Sequence, residues 1–195
     1  MTPQDFKKAW TKDGEQLFPL SINRLTNLDL QKETIAFLNI SGLPESAAPF
    51  LSFVNDTDDL YKGINKLTVQ YKILAHQYER YIVIGSDGSG NPIVINTSKQ
   101  DCIEILDHED NFSSIYMNKS IKELVETLVA YRDFINTLLK ENGEDAVLDS
   151  NFTDSQYEDL KQKILLIDIK ALTEDGFWKD ELELLLTNRE YYKQN

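Results

Sequence analysis

Two β-branched runs separated by a glycine-rich loop constrain this chain more than any other feature. Tyr81-Ile82-Val83-Ile84 leads into Gly85-Ser86-Asp87-Gly88-Ser89-Gly90-Asn91, and Pro92-Ile93-Val94-Ile95-Asn96 returns. Apolar runs bounded by turn-forming residues predict a β-hairpin. Gly85, Gly88 and Gly90 are read as supplying backbone angles that residues with a Cβ resist. Pro92 lacks an N–H and belongs at a strand start or edge. A third strand, Cys102 to Leu106, continues the meander and ends in the turn Asp107-His108-Glu109-Asp110.

Helical patterns flank this centre. Thr2 before Pro3 is a helix start, with Phe6 and Trp10 on one face and Gly14 at the end. A second helix is expected from about Asp29 to Ile40, stopped by Gly42 and Pro44. Residues 50–54 read as a short strand, and 67–82 fit either a strand or a helical turn. Ser120 and Glu123 form a capping-box pattern at the head of a long apolar-striped helix that Asn142-Gly143 ends. A polar linker, 141–152, precedes a second capping box, Thr153 with Gln156. Thr173 is placed to cap a last helix bearing Trp178, Leu182 and Leu186. The order helices, strands, helices predicts an α+β fold. Its antiparallel β-meander carries helices packed on one face and a C-terminal helical extension.

Charge divides the chain. The protein has 33 acidic and 20 basic residues, a net charge of −13. Residues 1–140 hold 19 acidic and 14 basic groups, whereas 141–195 hold 14 and 6. This shift marks 1–140 as a core and 141–195 as an acidic helical extension. So much negative charge is repelled by phosphate backbones and anionic lipid. Neither nucleic acid nor membrane is expected as a partner, and a basic protein is favoured. The same charge would also serve solubility alone. No apolar signal region opens the chain, and no run is long enough to span a bilayer. The expected location is the cytoplasm.

Catalytic and ligand motifs fail on their context. Gly85-x-x-Gly88-x-Gly90 is followed by a strand, so no helix N-terminus is there to hold a phosphate. Asp87, Ser89 and Asn91 alternate like a calcium loop, but Pro92 and Ser98 stand where Gly and Glu are required. His76 and His108 lack zinc-ligand spacing. Cys102 lies in an apolar alternation and reads as an inert buried thiol. No nucleophile elbow occurs. These residues predict no catalytic residue, no metal and no cofactor.

The hairpin from Tyr81 to Pro92 resembles the signature of the SUKH superfamily, which includes bacterial immunity proteins and fungal cell-wall synthesis regulators. Three further segments look like its fourth immunity subfamily. They are Glu33-Thr34-Ile35-Ala36-Phe37-Leu38 running to Gly42-Leu43-Pro44, Asn118-Lys119-Ser120 leading to Tyr131-Arg132, and Ile167-Asp168-Ile169-Lys170-Ala171-Leu172 with Phe177-Trp178. Ile169 stands where the subfamily has proline. The resemblance covers about residues 28–186. It implies an α+β fold, no enzymatic activity, and neutralisation of a polymorphic toxin, often a nuclease or deaminase, by direct binding.

A basic toxin would meet exposed carboxylates. The expected partner contacts are Asp56, Asp58 and Asp59 in one loop, Asp87 in the hairpin, and Asp107, Glu109 and Asp110 after the third strand. Gly85, Gly88, Gly90 and Pro92 are assigned to the turn itself. Trp178 is a core anchor first and an interface anchor second. The alternatives are an intracellular scaffold or regulator and, more remotely, an enzyme of a kind these motifs do not show.

Overall fold

The computed structural model describes residues 1–173 and 176–194. The helices are α1 (Pro3–Trp10), α2 (Ile22–Leu25), α3 (Lys32–Ile40), α4 (Leu67–Gln70), α5 (Ile121–Asn142), α6 (Asp154–Ile167) and α7 (Phe177–Gln194). The strands are β1 (Ser46–Ala47), β2 (Leu51–Phe53), β3 (Asn65–Lys66), β4 (Tyr81–Ser86), β5 (Pro92–Asn96), β6 (Cys102–Asp107) and β7 (Ser113–Asn118). All pair antiparallel into one seven-stranded sheet, ordered β1-β2-β4-β5-β6-β7, with β3 also pairing β4. The protein is therefore α+β, built on the expected meander.

The hairpin forms the centre of that sheet. Tyr81 pairs with Asn96, Ile82 with Ile95 and Val83 with Val94, and then the register shifts so that Gly85 faces Ile93. Ile84 is the extra residue of a β-bulge, which sharpens the local twist. The alternation puts Ile82, Ile84, Ile93, Ile95, Ile103 and Ile105 into the large core. That core also holds Phe6 and Trp10 of α1, Phe37 and Leu38 of α3, and Leu124, Leu128 and Tyr131 of α5. β-branched residues suit a pleated surface buried on both sides.

The opposite face carries a smaller cluster of Tyr81, Val83, Val94 and Leu106. The ambiguous stretch 67–82 covers it. Leu67, Tyr71, Leu74 and Tyr78 recur at intervals of three or four and land on this face, with Phe112 beside them. Their spacing is helical, and the segment forms α4 and a 3₁₀ turn at His76–Arg80.

The C-terminal helices share the main core. Ala146, Phe152, Tyr157, Leu160, Ile164, Phe177, Trp178 and Leu182 are buried in the same apolar cluster as the sheet. Two polar hubs attach them to β7. The Trp178 indole donates to Asn118 Oδ1 at 2.9 Å. Asp168 Oδ2 accepts from the Tyr116 hydroxyl and from Lys119 N–H, each at 2.8 Å. Midway along α5, the buried Arg132 donates to the carbonyls of Ala9 and Trp10 and closes the end of α1. The capping boxes at Thr2 and Thr153 form in full.

Three local expectations need correction. The second helix begins at Lys32, because Asp29 adopts a left-handed φ of 54° that a helix excludes. Ser120 accepts from Lys122 N–H, and Glu123 takes the Ser120 hydroxyl rather than the backbone, so the box there is incomplete. Thr173 closes the preceding turn by donating to the Lys170 carbonyl at 2.9 Å, and α7 starts only at Phe177. Asn195, the end of the expected extension, lies outside the described residues.

Candidate functional site: a groove at the hairpin end

The cover over the second sheet face stops short of one end. There, three serines lie in register on neighbouring strands: Ser46 opposite Ser52, and Ser52 opposite Ser86, which itself pairs with Pro92. They form part of the lining of an open groove of about 510 Å³. Tyr61, Lys62, Gln70 and Tyr71 line it too, with Glu45, Asn55 and Gly90. Ligand pockets occupy roughly 300–1,000 Å³, so the groove is of useful size.

The hairpin glycines shape this end in different ways. Gly90 has φ +84° and carries the turn. Gly85 is required for space, since a Cβ there would lie 2.2 Å from the Ser52 carbonyl oxygen. Gly88 sits against Phe50, with 3.1 Å between its virtual Cβ and the Phe50 Cβ. Phe50 itself has φ 57° and is 87% exposed. A bulky residue held in the left-handed region and out in water is an outlier of the kind that clusters at binding sites.

The expected acidic contacts do not line the groove itself; they fall into two groups on the loops that adjoin it or share its end of the sheet. In the first, Asp56 accepts from Ser21 Oγ at 3.1 Å and from Arg24 Nε at 2.6 Å, and Asp58 accepts from Arg24 Nη2 at 2.7 Å. Burial opposes ionisation of Asp56, but hydrogen bonds from Ser21 and Arg24 outweigh it and hold its pKa below the ordinary range. The hydrogen bond to Asp58 leads the effects that raise the Arg24 pKa. Asp59 caps its own turn through the N–H groups of Tyr61 and Lys62.

The second group is assembled by Asn91. Asp87 accepts from the N–H of Ser89 and of Asn91 and from the Asn91 amide, at 2.8–3.0 Å. Asn91 Oδ1 accepts in turn from His108 N–H at 3.1 Å and lies 2.7 Å from His108 Nδ1. This ties the hairpin loop to the β6–β7 turn, where Asp107 accepts from the N–H of Glu109 and Asp110. Asp87, Asp107, Glu109 and Asp110 thus share one end of the sheet. Glu109 and Asp110 are exposed, while Asp87 and Asp107 hold turns together.

Sequence reasoning did not single out Arg24, Asn55 or the serine row. Arg24 was one cation among twenty, and a serine row depends on strand register, which single residues do not reveal. The reactive candidates are tied up. Burial pushes the Cys102 thiol up to about 11, and the thiol faces the Asn118 carbonyl at 3.4 Å. His76 pairs with Glu79 at 2.7 Å. Among the described residues, no group of three or more His, Cys, Asp or Glu is placed to hold a metal ion. No described helix is long and apolar enough to cross a membrane.

A seven-stranded antiparallel sheet, helices over its main face and an open groove at its hairpin end define an α+β fold. The family model of the SUKH-4 immunity proteins matches residues 11–185. The chain belongs to that family, and its toxin-neutralising role as an immunity protein follows from membership. Neither a curated protein nor a solved structure matches the chain.

Proposed function

We propose that the chain neutralises a basic toxin domain, of the nuclease or deaminase type, by binding it directly and without catalysis. The observation that carries this reading is the family match over residues 11–185. The net charge of −13 supports it, because toxins that act on polyanions present basic clefts. The contact surface in this reading is the hairpin end of the sheet, with Asp56, Asp58 and Asp59 beside the groove and Asp87, Asp107, Glu109 and Asp110 on the tied loops. Gly85, Gly88, Gly90 and Pro92 set the shape of that end. The partner is a protein rather than nucleic acid or membrane, no cofactor takes part, and the site of action is the cytoplasm.

The test is a binding titration between the purified chain and a toxin domain sought in the adjacent reading frame, at 50 and 500 mM salt. A complex that weakens about tenfold or more at the higher salt is expected, as for docking between opposite fields. Reversing Asp56, Asp58 and Asp59 to Lys is expected to weaken it further. A complex indifferent to both changes would remove the electrostatic contact surface.

A further inference from the structure

We propose that the groove over Ser46, Ser52 and Ser86 receives an extended segment of the protein partner that carries arginine or lysine. The inference rests on the partner-binding reading and names the site and its occupant.

Hydrogen-bonding chemistry comes first. Neighbouring strands stand about 4.7–4.9 Å apart, so the in-register serines offer three hydroxyls in a line across the sheet. Each can donate and accept, as a peptide main chain requires. Asn55 lines the same groove, and its Oδ1 is buried without a hydrogen-bond partner among the described residues. A buried acceptor left unmet is destabilising, and a donor from a ligand relieves it. Peptide N–H, guanidinium and ammonium groups are all donors.

Charge then selects the occupant. The lining holds one carboxylate, Glu45, and one cation, Lys62; the two adjoining loops add Asp56, Asp58, Asp59 and Asp87, and Arg24 of α2 pairs with Asp56 and Asp58. An anionic ligand is disfavoured. Tyr61, 72% exposed, and Tyr71 supply aromatic faces to a cation. Phe50, standing out beside Gly88, offers the kind of large apolar anchor that concentrates binding energy in protein interfaces.

The test uses a defined probe and needs no toxin. The peptide acetyl-Gly-Arg-Gly-Arg-Gly-amide is titrated into the ¹⁵N-labelled chain, beside the same peptide with citrulline in place of arginine. Shifts centred on Asn55, Tyr61, Tyr71 and Ser86, at least fivefold weaker with citrulline, are expected. Ser52→Trp fills the groove from an exposed position and should reduce peptide affinity at least tenfold with the melting temperature unchanged. If Ser52→Trp loses cooperative unfolding, Ser46→Trp on the edge strand replaces it. Shifts scattered over the acidic surface and indifferent to the tryptophan, or no shifts at 10 mM peptide, overturn the proposal. The toxin assay separates the two readings. A parent chain that binds no adjacent toxin sinks the partner reading alone. A toxin complex that the groove-filling tryptophan leaves unchanged sinks the groove alone.

Discussion

The Trp178 indole nitrogen donates to Asn118 Oδ1 across 2.9 Å, in a site where both residues are fully buried. Asn118 is also engaged on its other side, since its amide donates to Thr127 Oγ1 at 3.2 Å. One asparagine at the end of β7 thus joins the sheet, α5 and α7. Trp178 packs against Tyr131 with ring centroids 5.8 Å apart. Trp178→Ala removes both the packing and the bond and should cost about 3–5 kcal/mol. Asn118→Ala leaves the indole N–H buried without an acceptor and should cost about 1–3 kcal/mol. Urea denaturation checks both. Coupling of more than about 0.5 kcal/mol in the double variant is expected for groups in contact.

Asp168 does similar work without a ring. Its carboxylate takes the Tyr116 hydroxyl, Lys119 N–H and Lys170 N–H, and so fastens the end of α6 to β7. Asp168→Ala leaves those donors unmet and should destabilise by about 1–3 kcal/mol. Because α6 and α7 share the sheet's apolar core, unfolding should remain one transition in both fluorescence and circular dichroism. Separate transitions would show the C-terminal helices to be an independent unit.

The hairpin glycines should rank by steric cause. Gly85→Ala drives a Cβ to within 2.2 Å of the Ser52 carbonyl oxygen, so β2 must move off β4. Gly90→Ala meets nothing within 4 Å and strains only the backbone at φ +84°. The expected costs are about 3 kcal/mol or more for Gly85 and about 1–2 kcal/mol for Gly90. Equal melting temperatures for the two variants would refute this ranking.

Legibility followed the range of the interactions. The central hairpin, the third strand and the long helix were written in local periodicity, and Pro92–Asn96 matches its expected bounds. β7 was not, because Ser113-Ser114-Ile115-Tyr116-Met117-Asn118 alternates weakly and becomes a strand through its pairing with β6. β1 and β3 are only two residues each and exist because β2 and β4 offer them partners. The acidic site residues were visible as charges, but their engagement was not. Asp56 and Asp58 meet Arg24 across more than thirty residues of chain, and Asn91 meets His108 only when two turns fold side by side. Asn118, Asp168 and Trp178 stood out through the family resemblance, and the structure supplies their physical reason.

Stability between pH 4.5 and 7 should bear the mark of Glu181. Burial, with help from the neighbouring charges of Asp180 and Asp87, raises this carboxyl from 4.5 to about 7. Its folded-state pKa is raised, so its contribution is fully present below pH 4.5, where both states hold the proton. Between pH 4.5 and 7 the unfolded chain has released that proton and the folded chain has not. Stability therefore falls as pH rises through this window and levels off above it. Asp56 and Glu79 are shifted the other way, below 3.8 and 4.5, and act at lower pH. Glu181→Gln keeps the shape and removes the charge. After discounting for partial exposure, it should add about 1–2 kcal/mol at pH 8, roughly 2–8 °C in Tm for a chain of this size. At pH 4.5 it should change little. Thermal melts of parent and variant across pH 4.5–8 measure the difference, and curves that stay parallel would show that Glu181 ionises in the folded protein as it does in the unfolded chain.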